Sequence, residues 1–179
     1  LNVRNVTVST VVQGVDLIVS SIGLEAETVL QSGNSVTVQW QDNNSGTLPT
    51  TSSWTDRLVV RNTTTNELLA DLQVPYDADA RGPITAGGSA AQQASITLPQ
   101  GPRGAGNISF TVTADVANDV VEVNIQGVAE DNNIASTTTK LQASTTDAET
   151  QKLTGVLVGY NAELATVDHE IDNATGQVV

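Results

Sequence analysis

The sequence predicts an all-β protein built as an antiparallel β-sandwich, and three observations carry that prediction. Apolar and small polar residues alternate with a period of two along several short stretches. Turn-forming residues separate those stretches at near-regular intervals, with no long helical pattern between them. Aromatic residues make up only 3% of the chain against 39% apolar residues overall. The core must therefore come from Val, Ile, Leu and Ala, a composition suited to a thin layer between two sheets.

Taken in order, the first element is the alternating run Val6-Thr7-Val8-Ser9-Thr10-Val11, within a leading strand at residues 1–15. Asp16-Leu17-Ile18-Val19 opens the main module, which extends to residue 145. Inside it, Ser35-Val36-Thr37-Val38-Gln39-Trp40, Arg57-Leu58-Val59-Val60, Ser95-Ile96-Thr97-Leu98 and Ile108-Ser109-Phe110-Thr111-Val112 read as half-buried strands. Gln31-Ser32-Gly33-Asn34, Asp42-Asn43-Asn44-Ser45-Gly46, Arg81-Gly82-Pro83, Ala86-Gly87-Gly88 and Pro99-Gln100-Gly101-Pro102-Arg103-Gly104 supply the turns. Residues 146–179 form an appendage. Its Thr146-Asp147-Ala148-Glu149 fits a capping box, and Leu153, Leu157, Tyr160 and Leu164 have helical spacing. Gly155 and Gly159 break that spacing, so Thr154–Tyr160 reads better as a strand.

Charge narrows the function classes. Seven Lys and Arg stand against 20 Asp and Glu, a net charge of −13. Nucleic-acid binding needs a basic face, and anionic lipid surfaces would repel this chain. No apolar run reaches the roughly 18–20 residues that span a bilayer. Cysteine is absent, which excludes disulfides, thiol nucleophiles and thiolate metal sites. With Met also absent and the acidity so strong, the composition suits a long-lived protein outside the cell, where oxidisable side chains are a liability. The lack of an initiating Met and of a leader suggests a processed or excised piece. A weak internal echo links Asn2–Val8 to Asn132–Thr138, as if the chain began with a strand of the type that closes the module.

The module resembles the CARDB family of cell-adhesion-related domains from bacterial and archaeal surface proteins. The segments that carry the resemblance are Asp16-Leu17-Ile18-Val19, Gly33–Trp40, Asn43-Asn44-Ser45-Gly46 and Ser53-Trp54-Thr55-Asp56-Arg57-Leu58. Ala86-Gly87-Gly88-Ser89, Leu98-Pro99-Gln100-Gly101, and Ala114-Asp115 with Asn118, Glu122 and Asp131-Asn132-Asn133 follow in the family's order. The resemblance implies a seven-stranded immunoglobulin-like sandwich. It departs where Val123–Glu130 intervene between Glu122 and the paired asparagines, so a bulge or a longer hairpin is expected there.

Trp40 closes a strand whose apolar members are Val36 and Val38, and so belongs to the core with Phe110 and Val112. Trp54 is read as packing, and Asp56–Arg57 as a structural ion pair or turn lock. Asp115, Asn118, Glu122, Asp131 and Asn132 form the candidate calcium site, because calcium takes six to eight oxygen ligands from neighbouring loops. The competing reading is that these residues cap turns and keep the surface soluble. No other cofactor is implied. Asn5, Asn43, Asn62, Asn107 and Asn173 each begin an Asn-x-Ser/Thr glycosylation signal. The one histidine, His169, lies outside the module, and no nucleophile elbow accompanies it, so no catalytic residue is assigned and no enzyme is expected.

Three functions are compatible with these features. The first is a structural or adhesive spacer module on the cell surface, partnered by neighbouring modules or copies. The second is a filament subunit that donates residues 1–13 as a strand to its neighbour. The third is a carbohydrate- or protein-binding module using the loops Asp42–Pro49 or Asp77–Pro83, with Tyr76 and Trp54 as its aromatic anchors.

Overall fold

A computed structural model describes residues 12–25 and 30–144 of the chain. Residues 1–11 of the expected leading strand at 1–15, residue 145, the appendage at 146–179, and with them His169, Asn5 and Asn173, lie outside the described residues. By contacts the chain divides into one unit at Leu1–Ala143 and another at Ser144–Val179.

Among the described residues, seven strands form two antiparallel sheets. In chain order they are β1 (Leu17–Leu24), β2 (Ser35–Asn44), β3 (Trp54–Asn62), β4 (Glu67–Tyr76), β5 (Ser89–Thr97), β6 (Gly106–Thr113) and β7 (Ile134–Leu141). The three-stranded sheet has the order β1-β2-β5, and the four-stranded sheet the order β4-β3-β6-β7. A single helical turn, α1 (Ala78–Arg81), follows β4 and is capped by the Asp77 side chain accepting from Asp79 N and Ala80 N. The alternation in the sequence becomes the inward face of each strand. Val36, Val38 and Trp40 from β2 meet Leu58 and Val60 from β3 and Ile108, Phe110 and Val112 from β6, all at most 1% exposed.

The registers fix where the chain enters and leaves. Leu17 pairs with Asn44, and Asn43 with Ser89, so the start of β1, the end of β2 and the start of β5 share one pole. Trp54 pairs with Tyr76, and β6 ends against the start of β7 at Thr113–Ile134, within the same pole. The chain enters here: Gly14 O accepts from Thr47 N and Leu48 N, and Asp16 O accepts from Ser45 N. A Cβ on Gly46 would lie 2.3 Å from Gly14 O, so only glycine lets the entering strand approach that closely. At the opposite pole β7 ends at Leu141, and Ser32 N donates to Gln142 O at 2.9 Å.

The hairpin between β6 and β7 is long, as Val123–Glu130 implied. It contains no strand pair of its own. Its path is set by Asp115 and Asn118, both at positive φ, by a single 3-10 turn at Ala129–Asp131, and by a bridge between Val15 and Glu122. β4, like β1, departs from strict alternation. Leu69 and Ala70 are both half-buried, with Leu68 exposed, because the β3–β4 register slips between Val60 and Arg61 and leaves Leu69 unpaired.

Candidate functional site

The core is aliphatic near the exit pole and polar near the entry pole. Continuing the inward face of β2 past Trp40 brings Asp42 and Asn44 inside, both fully buried. The inward face of β3 begins with Trp54 and Asp56, the latter also fully buried. These residues come from different sheets, and they join across the sandwich. Trp40 Nε1 donates to Asp56 Oδ2 at 2.9 Å, and Trp54 Nε1 donates to Asp56 Oδ1 at 3.0 Å. Asp115 N reaches the same Oδ1 at 3.3 Å. Asp56 is thus the acceptor on which both indoles converge.

Neither oxygen of Asp42 makes a hydrogen bond. Facing it are the Asp56 carboxylate and the Trp40 indole N–H that is bonded to Asp56, with the Arg81 charge near enough to oppose the rise in its pKa. Two buried like charges cannot sit together, so one acid keeps its proton. Burial, then the Asp56 charge, pushes Asp42 up to about 9. A protonated Asp42 becomes the missing donor and closes a β2–β3 link between the sheets. Burial also raises Asp56, opposed by the bonds from Trp40, Asp42, Asp115 and Trp54.

An aromatic stack borders this pair. Trp54 and Tyr76 lie face to face with centroids 4.0 Å apart, and the Arg81 guanidinium covers the far face of Tyr76 at 4.4 Å. Arg81 donates to Ala91 O at 2.6 Å and to Gln92 Oε1 on β5, while Tyr76 OH donates to Gly82 O at 2.9 Å. Trp54 and Tyr76 are 2% and 3% exposed. Their flat faces are spent on each other and on Arg81, which leaves no open platform for a sugar ring. The loops Asp42–Pro49 and Asp77–Pro83 are likewise engaged, one in holding the entering strand and the other in placing Arg81.

The candidate calcium residues separate into two groups. Asp115 and Glu122 are buried, whereas Asn118 and Asp131 are exposed and Asn132 is half-buried. Asp115 accepts from Asp119 N and Val120 N, both at 2.8 Å, which locks the turn that its positive φ begins. Glu122 accepts from Leu17 N at 2.5 Å and from Asn133 Nδ2 at 2.9 Å, and burial pushes it up to about 7. Burial raises Asp115 as well. Asn132 Nδ2 donates to Asp16 Oδ1 at 3.0 Å, joined there by Asn124 Nδ2 at 3.2 Å. Among the described residues no three His, Cys, Asp or Glu side chains come together to hold a metal ion. These hydrogen bonds fasten the β6–β7 hairpin to the entering strand.

Two sequence expectations need correction. Asp56–Arg57 is not an ion pair: Asp56 faces the core, and Arg57 faces solvent, where it pairs with Asp71 through Nε at 2.8 Å. Asn62 is fully buried with its Nδ2 bonded to Arg103 O and Ala105 O, so the folded chain has no room for a glycan there. Asn43 is half-buried and donates to Ser20 Oγ, while Asn107 is exposed on β6. Asp42 and Asp16 were not among the candidate residues. Asp42 sits two positions beyond Trp40 and so on its face of the strand, a signal that alternation does carry.

The fold and this polar pole define a β-sandwich module whose ionisable groups are turned into internal fastenings. The family model for CARDB matches residues 14–137, and the chain belongs to the CARDB family. Among solved structures, the chain is similar to the CARDB domain of the PF1109 protein from Pyrococcus furiosus, crystallised in complex with di-metal ions. The identity is 19% and the TM-score 0.51, over 75% of this chain and all of that one. The solution NMR structure of the same domain matches at 18% identity and a TM-score of 0.47, over 74% of this chain and all of that one. A β-glucosidase from Erythrobacter marinus matches at 12% identity and a TM-score of 0.43, over 71% of this chain and 15% of the enzyme. No curated protein matches the chain.

Proposed function

We propose that this protein is a non-enzymatic structural module of an extracellular, cell-surface assembly, acting as a spacer between the parts that precede and follow it. The observation that carries this reading is the chain path, entering at one pole of the sandwich and leaving at the other. A module traversed end to end adds its whole length to the polypeptide in which it is embedded. Ten residues of β2 at about 3.3 Å each set that length at roughly 33 Å. The polar fastenings at the entry pole hold the first strand to the body, which suits a part that transmits tension. The charge of −13 supports the reading, since like-charged neighbours resist non-specific aggregation.

The test is mild trypsin treatment of intact cells of the source organism, followed by mass spectrometry of the released peptides. Peptides of this chain ending at its exposed arginines should be released without lysis. Their appearance only after lysis would remove the extracellular role.

A further inference from the structure

The two flanks of the sandwich are finished differently. On one flank β4 faces β5, and α1 crosses from the end of β4 so that Arg81 can bond Ala91 O and Gln92 on β5. β4 also carries Pro75 and the charged Glu67 and Asp71, features that protect an edge strand from pairing. On the other flank β1 faces β7. β1 is bent by a register shift between Ser20 and Gly23, with Ser21 at φ 52°. β7 has none of these protections: it pairs with β6 at eight consecutive positions without a shift, contains no proline and carries a single charge at Lys140. Among the described residues no strand lies on its outer edge. The seam between β1 and β7 is lined by Ile22, Leu24, Leu30 and Ala135, all packed on the core yet only partly buried.

We propose that the outer edge of β7 accepts residues 3–11 of a second copy of this chain as an eighth strand. The edge offers backbone N–H and C=O groups along eight residues, and the segment supplies nine in a run free of Pro and Gly. Val6 and Val8 recur at the spacing that would place both over the aliphatic seam. Eleven residues precede Val12, a length sufficient to pair along all eight residues of β7 in a neighbour. Ile22, Leu24, Leu30 and Ala135 are only partly buried, so a further strand laid along β7 gains apolar surface to cover. Main-chain hydrogen bonds provide the affinity, and the alternate valines provide the selection. This contact links separate molecules, and so goes beyond the spacer reading without depending on where the protein resides.

Light scattering of the full 179-residue chain, compared with its Val6→Lys/Val8→Lys variant, tests the proposal. None of the strands β1–β7 contains either position, and the variant's unchanged far-UV circular dichroism would show that the acceptor is intact. The unaltered chain should grow in mass with concentration, at least to twice the monomer, while the variant stays monomeric. A synthetic peptide of residues 1–13 should bind the variant at one per chain and raise its Tm. Equal association of both chains would overturn the proposal, as would an unaltered chain that stays monomeric at every concentration. If that monomer's variant nevertheless bound the peptide, the segment would be closing the seam of its own chain.

Discussion

Asp42 and Asp56 make the stability of this sandwich depend on a single shared proton. The Asp42 acid has its ordinary value near 3.8 in the unfolded chain and about 9 in the folded one. Between those limits the folded state holds a proton that the unfolded state does not, so stability falls as pH rises. The slope is at most about 1.4 kcal/mol per pH unit for one such group. Glu122, raised to about 7, acts in the same direction over the lower part of the window. The Tm should therefore peak in mildly acidic buffer and fall toward pH 9. Asp42→Asn supplies a permanent N–H donor to Asp56, and should raise the Tm at pH 8 by about 5 °C or more while flattening the profile. A wild-type Tm that is level or rising from pH 5 to pH 9 in thermal melts would contradict the proton-sharing pair. The four carboxylate oxygens of Asp115 and Glu122 already accept hydrogen bonds. Millimolar calcium, compared with chelator, should accordingly leave the Tm unchanged by calorimetry, whereas a rise of several degrees would mean that these residues regroup around an ion. At this scale the sequence was half legible. Alternation places Trp40 and Asp42 on one face, but nothing local to β2 says that Asp56, on the other sheet, ends opposite them.

The strands whose inward residues strictly alternate, β2, β3, β5 and β6, were readable because a period of two has no competing explanation in short β-branched runs. β4 escaped because its register slip leaves the neighbours Leu69 and Ala70 both half-buried, and Pro75 argues against a strand. The turn at Arg81-Gly82-Pro83 was legible as a turn, yet its main consequence was not. Arg81 spans from β4 to β5 and reaches the aromatic stack as well as the β5 backbone. Replacing it with Ala removes these charge-assisted bonds and the cation–π contact, and should cost about 1–3 kcal/mol. Urea unfolding measures this directly. Arg81→Lys should recover little, since a point charge cannot match the planar fork. Full recovery by Lys would mean that only the positive charge matters.

At the scale of the whole molecule, the described residues form a sandwich held by internal fastenings and traversed from pole to pole. The resemblance in the sequence and the family match agree on the fold, while the path of the chain through it required the strand registers. The most direct test uses the natural absence of cysteine, since two introduced thiols can be labelled without competition. Spin labels at Gln13→Cys and Ala143→Cys flank the module at its entry and exit, and pulsed dipolar spectroscopy reads the distance between them. A single narrow distribution centred at roughly 30–35 Å, about the rise of a ten-residue strand, is expected. A distribution centred below about 20 Å would place both ends at one pole and contradict the spacer geometry.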